Sequence, residues 1–295
     1  SMSTVDPKAV PLAVATSGTS AAPRRAWTRL FRSRTAVIGL SLIVFWVVLA
    51  LLAPILPLPS PTAQDALAMA DPTPSAAHWF GTDILGRDIL ARLIFGARTV
   101  LLVAPLSVAV AMLAGITLGM LAGYFGGWVE ALVDRFSDLV LAFPVLVLYV
   151  ILIANVGASV INIVIATTIA SAPGIGRIVR GLVLDLKQQE YVAAARLRAE
   201  STLYIMAYEL LPNCRGPLLV DACLRIGYTI ITIGVLGFLG LGLPPPNPDW
   251  GGMVRETTTV INVWPLMSIA PSVAIVSLVL GFNLLADGMR EAWKP

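Results

Sequence analysis

Charge is what this chain has least of: 13% of its residues are Asp, Glu, Lys or Arg, and His78 is its single histidine. With 57% hydrophobic residues and a mean hydropathy of +0.85, that poverty excludes an ordinary soluble domain. It predicts an all-α polytopic membrane protein. Lysine is scarcer still, limited to Lys8, Lys187 and Lys294, and none follows a glycine. A phosphate-binding P-loop is therefore missing, and the chain is not expected to bind ATP through one. Cys214 and Cys223 lie within or beside one apolar segment with no ligand pattern around them, which argues against a zinc site or a disulfide framework. No apolar run holds a histidine, so an intramembrane nucleophile–base pair or metal cluster lacks its residues. The chain is not expected to be a catalyst or to carry a cofactor of its own.

What the sequence has is long apolar runs. Residues 1–23 are Ala-, Ser-, Thr- and Pro-rich without apolar periodicity, as in a mobile tail. Arg24, Arg25, Arg29, Arg32 and Arg34 follow, interleaved with Trp27 and Phe31. Such a stretch can bind nucleic acid, but residues 36–56 are apolar throughout and long enough to cross ~30 Å as a helix. Residues 1–35 then read as a cytoplasmic tail with a basic anchor, and nucleic acid is not an expected partner. Residues 57–97 form a polar external loop ending in a predicted amphipathic helix. Ile84, Leu85, Ile89, Leu90, Leu93 and Ile94 share one of its faces, and Arg87, Asp88 and Arg92 the other. Thr82 or Asp83 is placed to cap it, and Asp88 and Arg92 to pair across one turn. His78 has no companion ligand and reads as an ordinary loop residue.

Five further spans are predicted near 99–123, 138–156, 160–176, 217–240 and 264–286, which makes six crossings and a core of residues 98–295. Ala111, Gly115, Gly119 and Gly123 recur every four residues, a seam that lets helices approach closely in lipid. Pro105, Pro144, Pro173 and Pro271 fall inside spans and predict kinks. Asp221 and Arg225 stand four apart in the fifth span and predict a mutual ion pair near its cytoplasmic end, while Asp287 lies near the end of the sixth. Six crossings put both termini on one side. That side receives fifteen of the twenty Lys and Arg and the other side four, which assigns both termini to the cytoplasm. Trp128, Trp250, Trp264 and Trp293 sit near span ends, as interfacial belts require. Residues 241–263 form an external loop stiffened by Pro244, Pro245 and Pro246.

A polar stretch, residues 182–213, separates the fourth and fifth spans. Val192, Ala195 and Ala199 recur at helical spacing, and Ser201 can cap a second short helix. Pro212 is expected to stop that helix and to push Leu211 towards extended geometry. The run Ala193-Ala194-Ala195 is small enough for another backbone to come close. Pattern alone makes this an amphipathic loop on the membrane surface. The stretch also resembles the coupling (EAA) loop of ABC importer permeases, with Ala194, Ala195, Ile205, Leu211, Pro212 and Asn213 in register. Ala193 stands where the motif has glutamate, Ala199 where it has glycine, and Glu209 where it usually has histidine. Ala199 is expected to stiffen the bend.

The likeness covers residues 80–295. Gly81-Thr82-Asp83-Ile84-Leu85-Gly86-Arg87-Asp88, Gly-Tyr-Phe-Gly-Gly-Trp (123–128), Leu-Ala-Phe-Pro (141–144) and Glu190-Tyr191-Val192 are similar to segments of dipeptide/oligopeptide/nickel permeases. So are residues 237–246, 248–251 and 282–290. The resemblance is to the C-type subunit and implies a type I ABC importer permease fold. It further implies a homologous B-type permease as heterodimer partner, two cytoplasmic ATPases that hold ATP and Mg, and an external peptide-binding protein. Glu190, Tyr191, Val192, Ala194, Ala195, Ala199, Leu211, Pro212 and Asn213 are the implied ATPase-coupling surface. Gly81, Thr82, Asp83, Gly86, Arg87, Asp88, Pro244, Pro245, Pro246 and Trp250 are candidates for external contacts. Dipeptides are the expected cargo, with nickel complexes or glutathione as alternatives. An ion-coupled secondary transporter using Asp221, Arg225 and Asp287 is a weaker rival, since no internal repeat of spans is evident.

Overall fold

The computed structural model describes residues 29–244 and 246–293. The basic tail through residue 28, Pro245 and Lys294 lie outside the described residues. Helix α1 (Arg34–Leu52) is apolar on all sides and is capped by the Ser33 hydroxyl, which accepts from the Ala36 N–H. Helix α2 (Ile89–Phe125) follows the first long loop and runs 37 residues without a break. Its cap is Asp88, whose carboxylate accepts from the Ala91 N–H at 2.6 Å, rather than Thr82 or Asp83. The separate surface helix expected around 84–94 is therefore not formed. Ile84 and Leu85 sit exposed in a turn, and residues 89–94 are the buried first turns of a span.

The glycine seam is formed as expected. Ala111, Gly115, Gly119 and Gly123 lie buried along α2 against α5 (Val160–Leu186). The approach is so close that a Cβ on Gly119 would stand 2.5 Å from the Gly176 carbonyl oxygen and 2.5 Å from the Val179 Cβ. Only a residue without a side chain lets these backbones touch. Helix α5 extends past residue 176, and α3 (Gly127–Leu141) supplies countercharges to its basic residues there. Arg177 pairs with Asp138, and Arg180 donates through Nε to Glu130 at 2.7 Å.

The crossing predicted at 138–156 is broken. Helices α3 and α4 (Val145–Val156) meet at 84°, with Pro144 in an extended conformation at the corner. Twelve residues of α4 reach only ~18 Å, so this crossing needs part of the bent pair. Among the described residues five helices are long and apolar enough to cross a membrane, and the bent pair, taken as one span, makes a sixth. The remaining crossings are α7 (Thr202–Phe238) and α9 (Leu266–Ala292). Between α5 and α7 stands α6 (Glu190–Leu197), and α8 (Trp250–Glu256) lies between α7 and α9.

Pro212 does not end a helix. Leu211 is helical at φ −57°, ψ −44°, and α7 runs through the proline. A π-helical stretch, Ile205–Leu210, makes this possible: the Leu211 N–H donates five residues back to Met206, which slips the ladder by one place. Pro212 then falls in the first turn of a fresh α-segment, where no N–H is needed. The Asn213 side chain donates to the Glu209 carbonyl at 2.6 Å and fills another acceptor in the disturbed turn.

The bend before α7 turns on Ala199, whose φ of +57° is left-handed. A Cβ in that region costs roughly 1–2 kcal/mol. Ala199→Gly should therefore stabilise the bend by about 1 kcal/mol, whereas Ala199→Val should cost more than the alanine does. Thermal unfolding of the detergent-solubilised chain checks both signs.

Candidate functional site

The two ends of the helical bundle carry different chemistry. At one end α6 and the start of α7 form a two-helix elbow. Ser201 caps α7 by accepting from the Tyr204 N–H, as its position in the sequence suggests. Val192 and Ala195 are wholly buried and share one apolar cluster with Val179 and Val183 of α5 and Ile205, Leu210 and Cys214 of α7. They root the elbow in its own chain. Lys187 Nζ donates to the Gly123 carbonyl at 2.9 Å, and the Arg196 guanidinium lies over the Tyr124 ring. Both contacts tie the elbow to the end of α2. Arg198 spans the elbow to reach Glu209 at 3.2 Å and Glu200 at 3.5 Å, on the exposed side where such pairs contribute little. The Tyr191 hydroxyl is buried with no hydrogen-bond partner among the described residues, and burial pushes its pKa up.

The opposite surface of the elbow is bare. Glu190, Ala193, Ala194, Ala199, Pro212 and Asn213 are exposed, and Leu211 is half-buried. Leu197 is 89% exposed, Leu203 74% and Tyr208 69%. These three apolar side chains stand at the polar end of the bundle, where lipid tails do not account for them. Sequence reasoning missed them because it followed the Val192–Ala195 face, which turns inward. Their signal was a leucine or tyrosine out of phase with that face and flanked by charges.

At the other end, the predicted contact residues 81–88 turn mostly inward. Gly81 and Gly86 adopt φ of +76° and +71°, and a Cβ on either would stand within 2.3 Å of a carbonyl oxygen. Thr82 is buried and donates to the Ala68 carbonyl. Asp83 is buried, accepts from the Leu85 and Arg87 N–H groups, and holds both Arg87 and Arg92. Arg92 continues to Glu256 of α8 at 2.9 Å, as does Arg87. The expected Asp88–Arg92 pair is thus replaced by a network locking the start of α2 to α8. Trp250 is buried at 1% exposure, not part of an interfacial belt, and donates to the Leu93 carbonyl at 3.0 Å. Beside the network lies a cavity of about 320 Å³ lined by Arg87, Arg255, Asp249 and the exposed Pro244 and Pro246. Burial pushes the Asp249 carboxyl, which caps α8, up to about 6, against the N–H groups of Gly251 and Gly252.

His78 is no idle loop residue. Its Nδ1 meets Asp88 at 2.8 Å and its Nε2 meets Asp65 at 3.4 Å, so it joins the loop to the α2 cap. The Asp88 carboxylate raises its pKa above the usual value. The contribution to stability is full below about 6.5 and is lost as pH rises through the higher folded value. Protection of residues 57–80 from added protease should fall over that window. His78→Gln should flatten the profile.

In the spans, Asp221 and Arg225 pair at 2.6 Å as predicted, and Asp287 pairs with Arg290 at 3.4 Å on an exposed end. Two family models match the chain. Residues 115–295 match the inner membrane component of binding-protein-dependent transport systems. The chain belongs to that family. Residues 23–74 of the permease match the N-terminal transmembrane domain of oligopeptide transport permease C. The permease is 38% identical over 277 residues to the dipeptide transport system permease protein DppC of Alkalihalophilus pseudofirmus, covering 92% of this chain and 89% of that one. It is 38% identical over 273 residues to the glutathione transport system permease protein GsiD of Pectobacterium atrosepticum, at 92% and 90% coverage. The DppC of Haemophilus influenzae is 33% identical over 274 residues, at 91% and 93% coverage.

Proposed function

We propose that this permease forms half of the translocation pathway of an ATP-driven importer of short peptides, dipeptides foremost. Relatives named for dipeptide and for glutathione transport support the substrate class, glutathione being itself a small peptide. A homologous B-type permease supplies the other half, and an external binding protein delivers the cargo. Two cytoplasmic ATPases hold ATP and Mg. Both termini and the elbow face the cytoplasm, because fifteen of the twenty basic residues fall on that side.

The observation that carries this reading is the two-sided elbow, with Val192 and Ala195 rooted in the bundle and Leu197, Leu203 and Tyr208 bare. A docking surface must grip its partner outside and be fixed inside, because ATP biases the transporter only through contacts that differ between states. Force on the exposed tip passes through the buried root to α5 and to α7, a lever 37 residues long. Tilting these helices against the second permease then exposes the pathway alternately to each side.

The test is uptake of labelled dipeptide into proteoliposomes holding both permeases and both ATPases. Uptake should require the loaded binding protein and ATP on the elbow side. Uptake that persists without ATP and collapses with an uncoupler would instead establish an ion-coupled carrier.

A further inference from the structure

The Asp221–Arg225 pair has no explanation in the elbow or in the outer network. Residues 99–125, 145–176 and 266–286 contain no Asp, Glu, Lys or Arg. These two charges stand within α7 where Gly174 of α5 faces Arg225; the nearest charges along the neighbouring helices, Arg177 with Asp138 and Asp287 with Arg290, are already paired with each other. Asp221 and Arg225 are not sealed inside the chain: the Arg225 side chain is 21% exposed and that of Asp221 17%. Charged groups with an open side do not face hydrocarbon, so the open side meets water or protein.

Their neighbours continue the pattern. At 3.6 residues per turn, positions 221, 225, 228 and 232 fall within about 60° of one another on α7. Tyr228 is 66% exposed, and Thr232 follows it. Leu219, which is also exposed, points to the opposite side of the helix and suits lipid, while the exposed Ile231 borders the stripe beside Tyr228. Opposite Arg225, α5 presents Gly174, where an added Cβ would stand 3.4 Å from the guanidinium. The half-buried Ser171 lies one turn away. A polar stripe on a span, with its guanidinium packed over a glycine of α5, is a surface able to form a channel wall.

We propose that Asp221 and Arg225 form a station in this wall for the two charged ends of a peptide. The proposal rests on the peptide-import reading and adds the residues that read the cargo. Side chains four apart on a helix sit about 5–6 Å apart at their Cβ atoms, and an extended dipeptide spans about 7 Å. Arg225 takes the terminal carboxylate in a bidentate pair, and Asp221 takes the terminal ammonium. With the station empty the two side chains pair with each other at 2.6 Å. The wall is therefore neutral both before and after the peptide passes, and no lone charge is left in a poorly solvated place.

The test uses the whole transporter in proteoliposomes. Asp221→Asn combined with Arg225→Gln removes both charges together, so neither is left unpaired. Dipeptide uptake by this double variant should fall at least tenfold, while the complex assembles and loaded binding protein still stimulates ATP hydrolysis. Uptake at the normal rate would show that the pair only braces α7 and would overturn the proposal. A second measurement is independent of those variants. On a Cys223→Ala background, Tyr228→Cys should react with a hydrophilic, charged methanethiosulfonate, and peptide-loaded binding protein should slow the reaction at least threefold. An unreactive cysteine places the stripe against lipid or a dry interface and sinks the idea. If the unaltered transporter fails to import dipeptides at all, the peptide reading fails, which is a different result from either of these.

Discussion

Gly119→Val should remove the folded chain from the membrane. The argument is steric and local. At Gly119 even the first carbon of a side chain would meet the Gly176 carbonyl oxygen at 2.5 Å, nearer than atoms stand in folded proteins. The obstacles are backbone and the Cβ of Val179, neither of which can swing aside. Overpacking a core typically costs 1–3 kcal/mol; here two spans packed backbone to backbone must separate, and the loss should be ~3 kcal/mol or more. That is a large part of the 5–15 kcal/mol that holds an ordinary domain together. Gly181→Ala is the matched control. It lies on α5 too, yet an added Cβ there has nothing within 4 Å. The yield of monodisperse chain after detergent extraction should collapse for the first variant and match the parent for the second. Equal yields would mean that the α2–α5 seam is not the centre of the fold.

The seam was legible in the sequence because close approach in lipid admits few residue types, and a four-residue period of Ala and Gly has few other causes. The Asp221–Arg225 pair was legible for a similar reason, since isolated charges in a span must find each other. What misled was reasoning from single residues where the chain had a collective answer. Pro212 breaks a regular helix, but the π-helical slip at 205–210 moves its missing N–H to a harmless place. That slip leaves no mark in composition. Arg87 and Arg92 looked like the polar face of a surface helix because their partner, Glu256, lies far along the chain. The kink expected at Pro144 is formed, but that it breaks the crossing by 84° was hidden by continuous hydrophobicity on both sides, since a proline's effect depends on whether neighbours satisfy the freed carbonyls. The elbow was found correctly in position, but its inward and outward faces were not distinguishable. The residues that match the coupling motif include its root, Val192 and Ala195, as well as its surface.

That division of the elbow gives the other large effect: Leu197→Asp should leave the permease folded and membrane-embedded while abolishing ATP-driven uptake. Leu197 is 89% exposed and touches little of its own chain, so a charge there should alter stability by no more than about 0.5 kcal/mol. On the docking surface the same charge would be desolvated against the ATPase without a partner. Losing an apolar anchor at the centre of an interface costs about 2 kcal/mol or more, which is roughly thirtyfold in affinity. Ala195→Asp makes the contrast. Ala195 is wholly buried beside Val183 and Ile205, and a carboxylate there would lie in an apolar cluster with nothing to pair it. That variant should fail before any partner is met, with little assembled permease recovered. Co-purification with the ATPase, scored beside the amount of folded permease, separates the two kinds of loss. If Leu197→Asp and Leu203→Asp both retain the ATPase and transport normally, the bare side of the elbow is not where the motor grips. The force would then have to enter through α3, the other charged helix that is braced against α5 by Arg177 and Arg180.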